Sequence, residues 1–166
     1  MNLIISSLED MRQFYGEITH LLSVVDPDDA TSIPAMGVSR ESRLILICDD
    51  VYSKAEARER QRETGCKCIA PTKSMVMKAL TFARRLPEES ILLVHCGYGV
   101  SRSPAIAYAI LCQAYPELTE RQVFRQLSKI RPQACPSRLI VAYADELLGR
   151  DGRMLRAVQE ALKLKK

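Results

Sequence analysis

The chain has 166 residues, 47% hydrophobic and 27% charged, with a formal net charge of +4. That length and composition suit one ordinary globular domain, residues 1–166, built on a single core. No run approaches the roughly 18 apolar residues of a membrane span, the N-terminus lacks the basic and small-residue signals of an export leader, and the mild charge falls short of a nucleic-acid footprint.

The six cysteines (Cys48, Cys66, Cys68, Cys96, Cys112 and Cys135) stand in a chain too long and too helical in pattern for a disulfide-stapled scaffold. Without an export signal they read as reduced thiols of a cytoplasmic protein. Cys66-Lys67-Cys68 has poor spacing for structural zinc, and no second pair or nearby histidine completes a site. Cys112 and Cys135 read as packing residues.

A first strand is expected at Leu3 to Ile5, then a helix opened by Ser6-Ser7 and the acidic Leu8-Glu9-Asp10 and stopped at Gly16. Ile18 to Val25, apolar and β-branched, predicts a second strand, and the proline- and serine-rich Asp26 to Arg43 a loop. Leu44 to Cys48 is a continuous apolar run of the kind found in sheets buried on both faces. Tyr52 to Glu63, almost wholly Lys, Arg and Glu, predicts a solvated helix or excursion, with a docking surface as the alternative. Pro71-Thr72 opens a helix whose Met75, Ala79, Phe82 and Leu86 share one face. Ile91 to Val94 is a further buried strand. Helices follow at Ala105 to Ala114, Thr119 to Ile130, Leu139 to Leu148 and Met154 to Lys166. The alternation predicts an α/β fold, a central mostly parallel sheet flanked by helices.

Between the strand at Val94 and the helix at Ala105 lies His95-Cys96-Gly97-Tyr98-Gly99-Val100-Ser101-Arg102-Ser103-Pro104. Ligands of open α/β sheets gather beyond the carboxyl ends of the strands. Gly97 and Gly99 permit a nest of inward-turned N–H groups, and the following helix aims its own unpaired N–H groups at the same point. An anion such as a phosphoryl group is the natural guest, with the amides of Gly97, Tyr98, Gly99, Val100, Ser101 and Arg102 as binding groups. The same field favours a thiolate, which makes Cys96 the candidate nucleophile. Arg102 can curl to the loop's mouth and grip two phosphate oxygens with its planar fork. Ser103 is placed to hydrogen-bond the sulfur, and His95, behind the loop, to support its carbonyls.

His95 to Pro104 resembles the signature of the cysteine-based protein tyrosine phosphatases, and its Ser-Arg-Ser ending resembles the dual-specificity branch. Ile18 to Leu22 is similar to a strand of that family, and Arg131-Pro132 through Pro136-Ser137 to the segment that backs its phosphate loop. The chain as a whole resembles small bacterial tyrosine phosphatases. The resemblance implies the (phosphotyrosine protein phosphatase)-like fold. It also implies hydrolysis of a phosphoric monoester, on a protein or a small molecule, through a cysteinyl-phosphate intermediate, with no metal or cofactor.

The family's general acid is an aspartate roughly thirty residues before the cysteine, and here 65–74 holds no acid. Asp50, then Asp49, at the end of a strand, are the candidates; Glu63 folded inward, or no acid at all, are the alternatives. Without an acid, aryl esters with good leaving groups suffer least. The loop carries no Lys or Arg between Cys96 and Arg102, which favours phosphotyrosine or another single phosphate over polyphosphorylated inositols. Two competing readings stand beside the phosphatase: a pseudophosphatase that reads a phosphorylated partner without turnover, and a rhodanese-like sulfur transferase.

Overall fold

The computed structural model describes residues Met1–Lys163; Leu164, Lys165 and Lys166, where the expected tail helix ends, lie outside the described residues. Four strands, β1 (Asn2–Ser7), β2 (His20–Val25), β3 (Arg43–Ile47) and β4 (Ile91–Cys96), form a sheet in the order β1-β4-β2-β3. Every neighbouring pair is parallel. Among the described residues six α-helices complete the fold: α1 (Lys54–Thr64), α2 (Lys73–Arg84), α3 (Arg102–Ala114), α4 (Glu120–Ile130), α5 (Arg138–Leu147) and α6 (Arg153–Lys163).

Strand side chains alternate between two cores, as the two-residue period of a strand requires. Leu22, Val24, Leu92 and Val94 enter the larger one, beneath α2, α3, α4 and α5. Leu21 and Leu93 point the other way, onto Met11, Met36 and Val38. Loops and short turns therefore cover that second face, where helices do not reach. The helix expected after Ser7 is a five-residue 3-10 turn, Asp10–Phe14, entered by an Asp10 N–H bond to Ser7 Oγ at 2.9 Å. Gly16, with φ of +78°, closes the segment before a longer helix can propagate.

Leu44 to Cys48 departs from its reading as a strand buried on both faces. β3 is an edge strand: Leu46 is buried, while Ile45 and Ile47 are 45% and 39% exposed. An uninterrupted apolar run leaves the depth of a strand open, because one covered face and two look alike. The charged segment is a helix, α1, with Ala57 buried and its other residues largely solvated. Ser53 caps it by accepting from the Glu56 N–H at 3.0 Å, and Gly65 ends it in the left-handed region. Cys135, expected as packing, is exposed; Cys112 is buried.

The four C-terminal helices are tied by polar contacts as well as by packing. Tyr108 of α3 is fully buried and donates its hydroxyl to the Glu120 carbonyl at 2.9 Å. Burial pushes the Tyr108 phenol above its ordinary range. The Glu120 carboxylate accepts from Arg150 at 3.3 Å and Arg153 at 3.0 Å. Asp145 accepts the Gly152 and Met154 N–H groups and so caps α6. Tyr108→Phe keeps the ring and strands a buried carbonyl, a loss of about 1–2 kcal/mol. Thermal unfolding should then fall by roughly 3–6 °C, and an unchanged midpoint would remove this bond from the account.

Candidate active site

Parallel pairing brings the C-terminal ends of all four strands to one edge of the sheet, and β4 runs from there into the loop Gly97–Ser101. Each carbonyl of that loop is bonded outward. Gly97 accepts from Leu8 N–H at 3.0 Å, Val100 from Cys135 N–H at 2.8 Å, and Ser101 from Ala105 and Ser137 N–H groups. The carbonyls of Tyr98 and Gly99 both accept from the Arg131 guanidinium at 3.1 Å. Among the described residues, none of the N–H groups of Gly97 to Ser101 donates to a protein oxygen or nitrogen. A peptide unit whose C=O points out turns its N–H the opposite way, so the donors line the inside of the loop. The N-terminus of α3 adds its own, because the Ser101 side chain makes no cap there.

Gly99 makes the turn possible. Its φ is +67°, and a Cβ there would stand 2.7 Å from the Ser6 carbonyl and 2.8 Å from Arg131 Nη2. Gly97 has no such need of a positive φ; what lies nearest its missing side chain, at 3.7 Å, is Arg102 Nη2. The backing segment is the one whose sequence resembled the family's, since Arg131, Cys135 and Ser137 all bond the loop.

Cys96 ends β4 with 2% of its surface exposed, and its sulfur accepts the Ser103 hydroxyl at 3.2 Å. Arg102 opens α3 and is 4% exposed. Its Nη1 and Nη2 donate to the two carboxylate oxygens of Asp26 at 2.9 and 3.1 Å, and Nη1 also donates to the Cys48 carbonyl. Burial alone would lower the arginine's pKa; the Asp26 hydrogen bonds and charge outweigh it and hold the guanidinium above its ordinary value. A guanidinium has five N–H donors. Three are used here, and Nε is buried with no partner. The unused Nε–H and second Nη2–H form one side of the guanidinium, a fork suited to two oxygens of a tetrahedral anion.

Asp26 was not singled out in the sequence. It follows β2, 76 residues before Arg102, and only the strand order brings it there. Of the acid candidates, Asp50 is exposed and accepts the Ser101 hydroxyl at 2.8 Å, on the rim of the loop. Asp49 turns to the Ile69 N–H at 2.6 Å instead, and Glu63 is exposed on α1. Tyr98 is 84% exposed. His95 does not reach for the loop carbonyls by its Nε2, which meets Ser23 Oγ of β2 at 2.7 Å. Burial pushes its imidazolium down to about 4, so the ring is neutral near pH 7.

Cys48 is buried and its thiol is pushed up to about 12, chiefly by burial, with Arg102 opposing. Cys48 and Cys96 are both free thiols, carried past β3 and at the end of β4 with β2 between the two strands.

No family model and no curated protein sequence matches the chain. Solved structures do. The Cydia Pomonella PTP-2 phosphatase superposes with a TM-score of 0.62 at 18% identity, covering 88% of this chain and 85% of that one. PTPMT1 in complex with PI(5)P gives 0.61 at 16% identity, covering 90% and 93%. DUSP15 gives 0.59 at 20% identity, covering 96% and 91%. The fold is that of the cysteine-based protein tyrosine phosphatases. In this phosphatase fold the anion loop follows a central strand, β4, with β1 and β2 on either side of it.

Two expectations follow from the geometry. Asp26→Asn removes the counter-charge of a buried guanidinium; with Asp26 itself partly exposed, the loss should be about 1–2 kcal/mol, or roughly 3–6 °C in Tm. Saturating phosphate should recover part of that loss, because a bound dianion restores the charge balance, and an equal loss with and without phosphate would separate Asp26 from the anion site. His95 generates the second. An unfolded histidine titrates near 6.5 and His95 near 4, so between those values the unfolded chain binds the extra proton. Its stability contribution is complete above about pH 6.5 and is lost as pH falls. The loss from pH 7 to pH 5 should be about 2 kcal/mol, read by denaturant titration against His95→Asn, whose profile should be flatter by that amount.

Proposed function

We propose that the protein is a cysteine-dependent phosphoric monoester hydrolase of the protein tyrosine or dual-specificity type. The observation that carries this reading is the unused fork of the buried Arg102, beside a loop whose carbonyls are all bonded outward and whose N–H groups have no protein acceptor. Buried donors left without partners cost free energy, which an oxyanion among them returns.

In the mechanism, the Cys96 thiolate attacks phosphorus, the S–P bond forms, and the bond to the leaving oxygen breaks. Arg102 and the amides of Gly97 to Arg102 hold the three equatorial oxygens, where charge is spread in the transition state. Asp50 gives its proton to the leaving oxygen. Water then loses a proton to Asp50 and attacks phosphorus, the S–P bond breaks, and inorganic phosphate leaves. Ser103, donating to the sulfur, steadies the thiolate as it is expelled, and no metal or cofactor is needed. His95 serves as support between strands and takes no part in proton transfer.

Asp50 is preferred as the acid because it alone of the three candidates contacts a loop residue, Ser101. The substrate is a single phosphate ester, phosphotyrosine before a phosphoinositide. PTPMT1 is solved with PI(5)P, but the loop here has no Lys or Arg before Arg102 to meet a second phosphate.

Steady-state hydrolysis of p-nitrophenyl phosphate without added metal tests the proposal. Wild type should turn over and be blocked by vanadate, and Cys96→Ser should fall to background. Activity that survives in Cys96→Ser would sink the mechanism. Asp50→Asn should slow alkyl phosphates by about 10²-fold or more and p-nitrophenyl phosphate much less; equal slowing of both would take the proton transfer away from Asp50.

A further inference from the structure

Because the sheet is parallel, the first residues beyond β1, β2 and β3 all collect at the edge that carries the anion loop. Their composition is lopsided. Leu8 to Met11 contains Glu9 and Asp10; Asp26 to Asp29 contains Asp26, Asp28 and Asp29; Cys48 to Val51 contains Asp49 and Asp50. These twelve positions hold seven carboxylates and no Lys or Arg, in a chain whose net charge is +4. Glu9, Asp10, Asp28 and Asp50 are exposed. The loop itself, Gly97 to Ser101, adds no charged side chain.

The cations at this edge do not cancel the excess. Arg102 is buried and paired with Asp26, and Arg131 is bonded to two loop carbonyls. Among the described residues, Arg12, exposed one residue beyond Met11, and Arg138, exposed one residue beyond Ser137, are the other guanidinium groups close in sequence to the segments bonded to the loop, and four cations stand against seven carboxylates. The centre attracts an anion, as the buried Arg102 with its partnerless Nε requires, while the surround repels one. A ligand that satisfies both has a single phosphate at its centre and positive charge on either side.

We infer that the substrate is a phosphotyrosine in a cationic protein segment, with Lys or Arg flanking the phosphorylated residue. The inference rests on the phosphatase reading of the same site. Neighbouring basic residues meet Asp28 and Asp29 on one side and Glu9 and Asp10 on the other, whereas an acidic flank or a second phosphate meets like charge. Steering of this kind acts on encounter and weakens with salt, because the carboxylates are in water.

The test uses two phosphotyrosine peptides of equal length, one with Lys at the two positions on each side and one with Glu there, and p-nitrophenyl phosphate as a flank-free reference. At low ionic strength kcat/KM should favour the Lys peptide by about tenfold or more, and the ratio should shrink toward one in 0.5 M salt. The double variant Asp28→Asn, Asp29→Asn should lower the preference about threefold while leaving p-nitrophenyl phosphate hydrolysis unchanged. Affinity of Cys96→Ser for the same peptides reads the preference without turnover. Hydrolysis of the reference ester with no flank preference, or with a preference for Glu, would overturn this inference and leave the phosphatase standing. A Lys preference in binding without hydrolysis of any ester would sink the phosphatase reading, and with it the peptide's standing as a substrate. An inositol polyphosphate that competes better than the Lys peptide would also overturn it.

Discussion

The site depends on how a buried guanidinium is shared out. Arg102, 4% exposed, brings five N–H donors to the site, and the fold takes up three, two on Asp26 and one on the Cys48 carbonyl. This division fixes the plane and direction of the group before any ligand arrives. Fully satisfied, the arginine would be a structural ion pair. Wholly unpaired, it would be too costly to bury. The partial satisfaction leaves a pre-aimed fork and a reason for an oxyanion to occupy it.

The same principle governs the loop. A backbone turn with five inward N–H groups is electrostatically unfavourable by itself, since like ends of neighbouring dipoles converge. It is held by what lies outside it: Leu8, Arg131, Cys135, Ser137 and the first turn of α3 bond the outward carbonyls. These contacts come from segments far apart in the chain, so the loop is as rigid as the packing of β1, α3 and α5 around it. Gly99 follows from the same crowding, because the close approach of Ser6 and Arg131 leaves no volume for a side chain. Preorganisation of this kind removes the reorganisation cost that flexible donors would incur when charge develops.

How legible this was in the sequence divides along chain distance. Cys96, Arg102 and Ser103 were readable because strand, loop and helix are contiguous, and the chemistry of an eight-residue stretch can be reasoned about locally. Strands and helices were readable from periodicity and capping, as at Pro71-Thr72, where the Thr72 side chain accepts the Met75 N–H at the start of α2. Asp26 was not, because its role exists only once β2 lies beside β4; in one dimension it is an acid before a proline, an ordinary turn. β3 was misjudged in depth because its apolar run carries no mark of which edge it occupies. The turn at Asp10–Phe14 carried a helix-start signal, but Gly16 left too little chain for a helix to repay its nucleation.

Asp26 pairs with Arg102 and Asp50 contacts the loop, and their surroundings separate their work. Both oxygens of Asp26 accept from Arg102, so that carboxylate is engaged with the guanidinium through a bidentate, charge-assisted pair. Asp50 is bonded through one oxygen only, to the neutral Ser101 hydroxyl, and the side chain stands in solvent at the rim. A hydroxyl is easily traded for another partner, whereas a guanidinium fork is not. In the proposed mechanism a substrate entering the loop would displace the Ser101 contact at little cost and find Asp50 free to give a proton. The Asp26 pair would persist through the whole cycle, one acid holding the arginine still while the other moves its proton.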